Sequence, residues 1–144
     1  MIAEIRKHIK EAIKDCSGKY LEIDNPFFNE RDLIQNKHDY QYALTFGPSN
    51  TIINDDGQGG VETVPVNLKT FRQGDKDKLS IFDQGYTQAL TIRDLILDRT
   101  LIAGREFIKG VTCTGVTPAG VQDSQDIYSY EANLIFTISY SIGD

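Results

Sequence analysis

Two histidines, two cysteines and several groups of acids are the side chains in this sequence with chemistry beyond packing. Histidine is the usual general base near neutral pH, but it needs a nucleophile or an orienting carboxylate within hydrogen-bond reach. His8 falls on the polar side of a helical pattern, which places it in solvent. His38 precedes Asp39 at the start of a strand pattern, where successive side chains face opposite ways, so the pair does not converge on one substrate. Asn54, Asp55 and Asp56 before Gly57 offer clustered oxygens of the kind that hold calcium. An EF-hand loop, however, alternates its ligands and needs glycine at the sixth position and glutamate at the twelfth. Here the acids are adjacent and strand patterns flank them, so a solvated, flexible loop over 54–60 is the reading. The glycines of GQGG lack the Lys-Ser/Thr pair and the following helix of a phosphate-binding loop. Asp75, Asp77, Asp83, Asp123 and Asp126 could furnish a pair of catalytic acids, yet all lie in polar stretches where solubility explains them. No Gly-x-Ser-x-Gly or His-Glu-x-x-His occurs. Cys16 and Cys113 have no CxxC spacing and read as reduced, partly buried thiols. The sequence predicts no enzyme, no cofactor and no metal.

The elements that would position these residues are those of one domain spanning 1–144. A chain of 144 residues, 40% hydrophobic and 25% charged, can build one ordinary core. The net charge of -6 and a pI near 4.9 repel a phosphate backbone, which argues against nucleic-acid binding. The amino-terminal stretch is amphipathic but contains Glu4 and Glu11 and no continuous apolar run, unlike a secretion signal. No stretch approaches the roughly 18 apolar residues of a membrane span. These features predict a protein made and kept in a reducing cytoplasm, with no membrane partner.

Ile2, Ile5, Ile9, Ala12, Ile13 and Cys16 recur at helical spacing and predict an amphipathic helix over 2–16, stopped near Gly18. Residues 20–37 read as an irregular connector that packs Phe27 and Phe28, with a short strand near its start. HDYQYALTF, 38–46, alternates as a half-buried strand. VETVPVNLKTF follows the glycine loop as a second strand, and Pro65 within it demands an edge position or a bulge. GDKDKLS, 74–80, reads as a turn. A second helix lies within 84–99, capped by Asp83 or Thr87, with Tyr86, Ala89, Leu90, Arg93, Ile96 and Leu97 inward. REFIKGVTCTGV gives a third strand with Phe107, Val111 and Cys113 on one face, and 117–126 a long polar loop.

The last strand, YSYEANLIFTISYSI, is the strongest pattern in the chain. Tyr128, Tyr130, Ala132, Leu134, Phe136, Ile138, Tyr140 and Ile142 share one side; the other is polar except for Ile135. Fifteen residues at about 3.3 Å each span roughly 50 Å, against about five or six residues for an ordinary strand. Covering so long an apolar face calls for both helices and for a neighbouring subunit. The whole describes an α+β fold: a mainly antiparallel sheet of about four or five strands with two α-helices on one face.

An amphipathic first helix, a tyrosine-rich strand, a hairpin with a Gly/Asp loop, the helix QALTIRDLILDR and the final YEANLIFTISYSI together resemble the tail terminator proteins of long-tailed bacteriophages. The likeness covers most of the chain as architecture; at residue level it rests on the last strand behind Glu131. The resemblance implies a ring, usually a hexamer, that caps the tail tube, ends its polymerisation and presents a surface to the head-completion or stopper protein. DNA would pass through the lumen without specific binding, and the protein would belong to the virion tail or neck. It also implies contact surfaces: Asn54, Asp55, Asp56 and Gln58 in one loop, Gln122 and Asp123 in the other, and Tyr128 and Tyr130 on the last strand. Alternatives are another neck or tail component, or a small ligand-binding domain, which a deep pocket with convergent polar groups would reveal.

Overall fold

The computed structural model describes residues 2–23, 39–74, 77–98, 108–124 and 127–143. The order of elements is α1 (Ile2–Cys16), β1 (Leu21–Glu22), β2 (Gln41–Phe46), β3 (Asn50–Ile53), β4 (Gly60–Gly74), α2 (Lys78–Leu97), β5 (Ile108–Ser124) and β6 (Ile127–Ile142). The strands form one sheet in the order β1-β2-β4-β6-β5, with β3 beside β4, and every pairing but β1–β2 is antiparallel. This is the expected α+β architecture. It has six strands because two short pieces are added, β1 at the outer edge of β2 and β3 beside β4.

Alternation sets the two faces of the sheet. Val64, Val66 and Leu68 of β4, together with Tyr130, Ala132, Leu134, Phe136, Ile138 and Tyr140 of β6, are buried in the main core with Ile5, Ile9 and Ile13 of α1 and Ile81, Ala89, Ile92 and Ile96 of α2. The opposite face is mostly polar: Thr63 and Ser139 meet hydroxyl to hydroxyl at 2.9 Å, and Ile135 lies 44% exposed among them.

The expectation that a second subunit must cover β6 is overturned, since Tyr130, Ala132, Leu134, Phe136 and Ile138 are all 1% exposed or less within one chain. Helices of fifteen and twenty residues, roughly 22 and 30 Å long at 1.5 Å per residue, suffice to roof that face. Only the strand ends, Tyr128 and Ile142, are half-buried.

The helix α2 starts at Lys78, six residues before the expected range, and the stretch read as a turn is its amino-terminal cap. The Asp77 side chain accepts from Ser80 N at 3.2 Å, satisfying one of the amides that a helix start leaves unpaired. Its buried face is Ile81, Gly85, Ala89, Ile92 and Ile96. Gly85 is required there: a Cβ at this position would lie 2.3 Å from Tyr130 Cδ1, so α2 rests directly on that ring.

The residues read as a polar loop over 117–126 continue β5 through Ser124, paired in register with β6 as far as Ser124↔Ile127. Pro118 and the glycines suggested a loop because they weaken a central strand. At the rim of the sheet they are accommodated by bulges at 108/110, 113/115 and 118/120. The bulge after Cys113 also keeps Val116 on the core face.

Pro65 lies within β4, which has neighbours on both sides. Its carbonyl accepts from Gly47 N at 2.9 Å, and in an antiparallel strand a residue's N–H and C=O point the same way. The missing N–H therefore faces the break at 47–49 where β2 gives way to β3. Phe46↔Val66 and Asn50↔Thr63 leave three residues opposite two, the bulge that the proline called for.

His8 is 1% exposed, not solvated. It lies on the α1 face toward α2, and its Nε2 sits 3.0 Å from Ile96 O, a carbonyl of the last helical turn with no intrahelical partner of its own. His38, Phe27, Phe28, Phe107, Asp75 and Asp126 lie outside the described residues.

Candidate functional site

Three regions concentrate polar or exposed apolar groups. The first is a junction around Arg72, which is 5% exposed near the end of β4. Its Nε donates to Asp39 Oδ1 at 2.8 Å and its Nη2 to Asp39 Oδ2 at 3.1 Å, the bidentate geometry that makes such pairs strong. Its Nη1 donates to Gln88 Oε1 at 2.7 Å, and the guanidinium lies 3.8 Å from the centre of the Tyr40 ring. Asp39 also accepts from Gln73 N at 2.9 Å, and Gln88 from the Tyr20 hydroxyl at 3.1 Å. Burial works against the Arg72 charge, but the Asp39 hydrogen bond and charge outweigh it and raise the pKa. Burial also raises the pKa of Tyr20 and of the Cys16 thiol. The groups satisfy one another and join the end of α1, the entry to β2, the end of β4 and α2. The junction holds the fold together.

The second region is the tip of the β3–β4 hairpin. Asn54, Asp55, Asp56 and Gln58 are all exposed there, and the loop is closed by its own hydrogen bonds. Asn54 N donates to Gly59 O at 3.0 Å and Gly57 N to Asn54 O at 2.9 Å. Asn54 Nδ2 donates to Gln58 O at 3.0 Å, and Asp56 Oδ1 accepts from Gln58 N at 2.8 Å. Gly57 and Gly59 have φ of 73° and 71°, the left-handed region that glycine adopts without strain. Just behind the loop, Ile52 and Ile53 are 67% and 56% exposed. Glu62, at the base of the hairpin, accepts from the Tyr140 hydroxyl at 2.8 Å. Hydrogen bonds from Ser49 and Tyr140 hold its pKa below the usual carboxylate value, and burial together with Glu62 pushes Tyr140 up to about 12.

The third region is a groove of about 490 Å³ between α1 and β1–β2, lined by Lys7, Lys10, Lys14, Leu21, Glu22 and Tyr42 among others. Arg6 pairs with Glu22, and Lys10 Nζ lies 3.5 Å from the same carboxylate. Lys7, Lys10 and Lys14 are exposed and follow the i, i+3, i+7 spacing of one helix face. Burial and the Glu22 charge push the Tyr42 hydroxyl, in the wall, up to about 12.

The remaining sequence-predicted contact residues fare differently. Tyr130 is 1% exposed beneath Gly85; it is a core residue, with its hydroxyl unpartnered among the described residues and its pKa pushed up to about 12 by burial. Tyr128 is half-buried at the start of β6. Gln122 and Asp123 are strand residues opposite Ser129 and Tyr128, not loop residues. The groove had no sequence signal, because α1 and β2 approach across more than twenty intervening residues. Among the described residues, no three His, Cys, Asp or Glu side chains gather as a metal site. No described helix is long and apolar enough to cross a membrane.

No protein-family model and no curated protein sequence matches this chain. Among solved structures, the chain is similar to one from the virion of a native gene transfer agent (GTA) particle. The TM-score is 0.55 over 94% of this chain and 93% of that one, at 11% identity. At that identity the likeness is one of fold.

Proposed function

We propose that this protein is a structural subunit of a phage-type particle, and specifically a tail-terminator-like subunit that closes into a ring on the end of a tail tube. The observation that carries this reading is the end-to-end likeness of fold to a chain of the GTA virion. Its work is assembly without bond chemistry. The polar side chains at its centre are engaged in holding the fold, and the features left for partners are a preformed hairpin tip and a basic groove. In the ring the subunits number six, one face meets the tail tube, and the other meets the head-completion protein. The acidic balance of -6 suits a conduit along which DNA slides without sticking.

Electron microscopy of the purified protein, alone and mixed with tail tubes, tests this. Six-fold rings, or caps at one end of each tube, are the expected result. Labelled copies distributed along the tube would instead assign a tube subunit, and indifference to tubes would sink the structural reading.

A further inference from the structure

We infer that copies of this chain join head to tail, with the β3–β4 hairpin tip of one seated in the α1/β1–β2 groove of the next; this rests on the ring reading above. Ile52 and Ile53 are neighbours in one strand, so their side chains leave opposite faces of the sheet, and both are more than half exposed. A flat partner covers one of them; a cleft covers both. The turn beyond them is already fixed by four hydrogen bonds of its own, so little ordering entropy is lost on docking.

The charges match as well. Residues 50–62 carry Asp55, Asp56 and Glu62 and no lysine or arginine. The groove carries three exposed lysines on one helix face against two carboxylates in its lining, Glu11 and Glu22, which leaves it basic by one charge. Lys10 is shared with Glu22, whereas Lys7 and Lys14 form no ion pair among the described residues. Leu21, 49% exposed, adds an apolar lip. An acidic tip with two isoleucines and a basic groove with an apolar lip are complementary on the same molecule.

Their placement makes the contact propagate. The groove adjoins Tyr42, which pairs with Thr70 of β4, while the tip adjoins Gly60 at the other end of that strand. Tip and groove are thus separated by about 35 Å at ~3.3 Å per residue. A subunit cannot fill its own groove across that distance, and a contact between different patches repeats from copy to copy until it closes a ring.

Two variants test this: a tip variant, Ile53→Lys with Asp55→Lys, and a groove variant, Lys7→Glu with Lys14→Glu. All four positions are exposed, so circular dichroism and thermal unfolding should match the unsubstituted protein. Sedimentation of each variant alone should show self-association weakened about 100-fold. Mixing the two should restore association to dimers or larger, because the groove variant's tip still fits the tip variant's groove and the reversed charges of the other two surfaces also match. Combining Asp55→Lys with Lys7→Glu and Lys14→Glu in one chain should restore rings.

Rings that persist in both variants would overturn the contact and leave the ring reading standing. A groove variant that lowers the unfolding temperature without changing association would show that these lysines serve the chain's own fold, and would also overturn it. A chain that stays monomeric alone and on tubes would remove both proposals.

Discussion

The two ends of β4 are built to opposite purposes. At Arg72 the strand is gripped by Asp39, Gln88 and the Tyr40 ring, which reach it from the entry to β2 and from α2. At Gly60 it continues into a hairpin whose loop, among the described residues, is held by its own hydrogen bonds and whose isoleucines face water. Buried, mutually satisfied polar groups rigidify a fold but leave little for a partner. A preformed projection adds nothing to the core and presents much. The contrast separates the residues that keep this protein folded from those available for contact with other proteins.

Substitutions should sort along the same line. Phe136→Ala, in the core shared by both ends, should lower the urea unfolding free energy by about 3–5 kcal/mol. Gly85→Ala should cost about 1–3 kcal/mol through overpacking against Tyr130. Adding Tyr130→Leu should then cost less than the two single changes summed, because the sites touch. Asp39→Asn removes the charged acceptor for Arg72 and, with 41% of the Asp39 side chain exposed, should cost about 1–2 kcal/mol. At the opposite end, Ile52→Ser and Ile53→Ser should each leave unfolding within about 0.5 kcal/mol of the parent. A loss at the tip as large as that at Phe136 would erase the distinction between the two ends.

The smallest effect should be one of pH. Glu62 titrates below its ordinary value of 4.5 in the folded chain. The unfolded chain therefore holds the proton more readily, and the Glu62 contribution is present above that value and lost as pH falls through the lower folded one. Tyr140→Phe removes one of the two hydrogen bonds behind the shift. Unfolding measured between pH 3 and pH 6 should show a shallower acid loss in that variant than in the parent.

How much of this was legible depends on whether the signal was local. The isoleucine spacing of α1 and the alternation of β6 needed no distant partner, and both elements lie where the pattern puts them. The start of α2 was also local, in the Asp77-x-x-Ser80 cap, but the surrounding charges made a turn the more economical reading. Continuation of β5 through Pro118 was hidden because edge position and bulges are properties of the sheet. His8 was misplaced because its partner, Ile96, is 88 residues away, and the Arg72–Asp39 pair is separated by 33. The hairpin tip could be read as exposed from its glycines and acids. Its network of internal hydrogen bonds, and the groove made by α1 and β2, exist only once the chain has folded.

The absent methyl at position 85 ties two points of the chain into one unit of heredity. Any side chain gained there must be matched by a ring lost at position 130, so among descendants of this sequence those two sites should change in step while their neighbours drift separately.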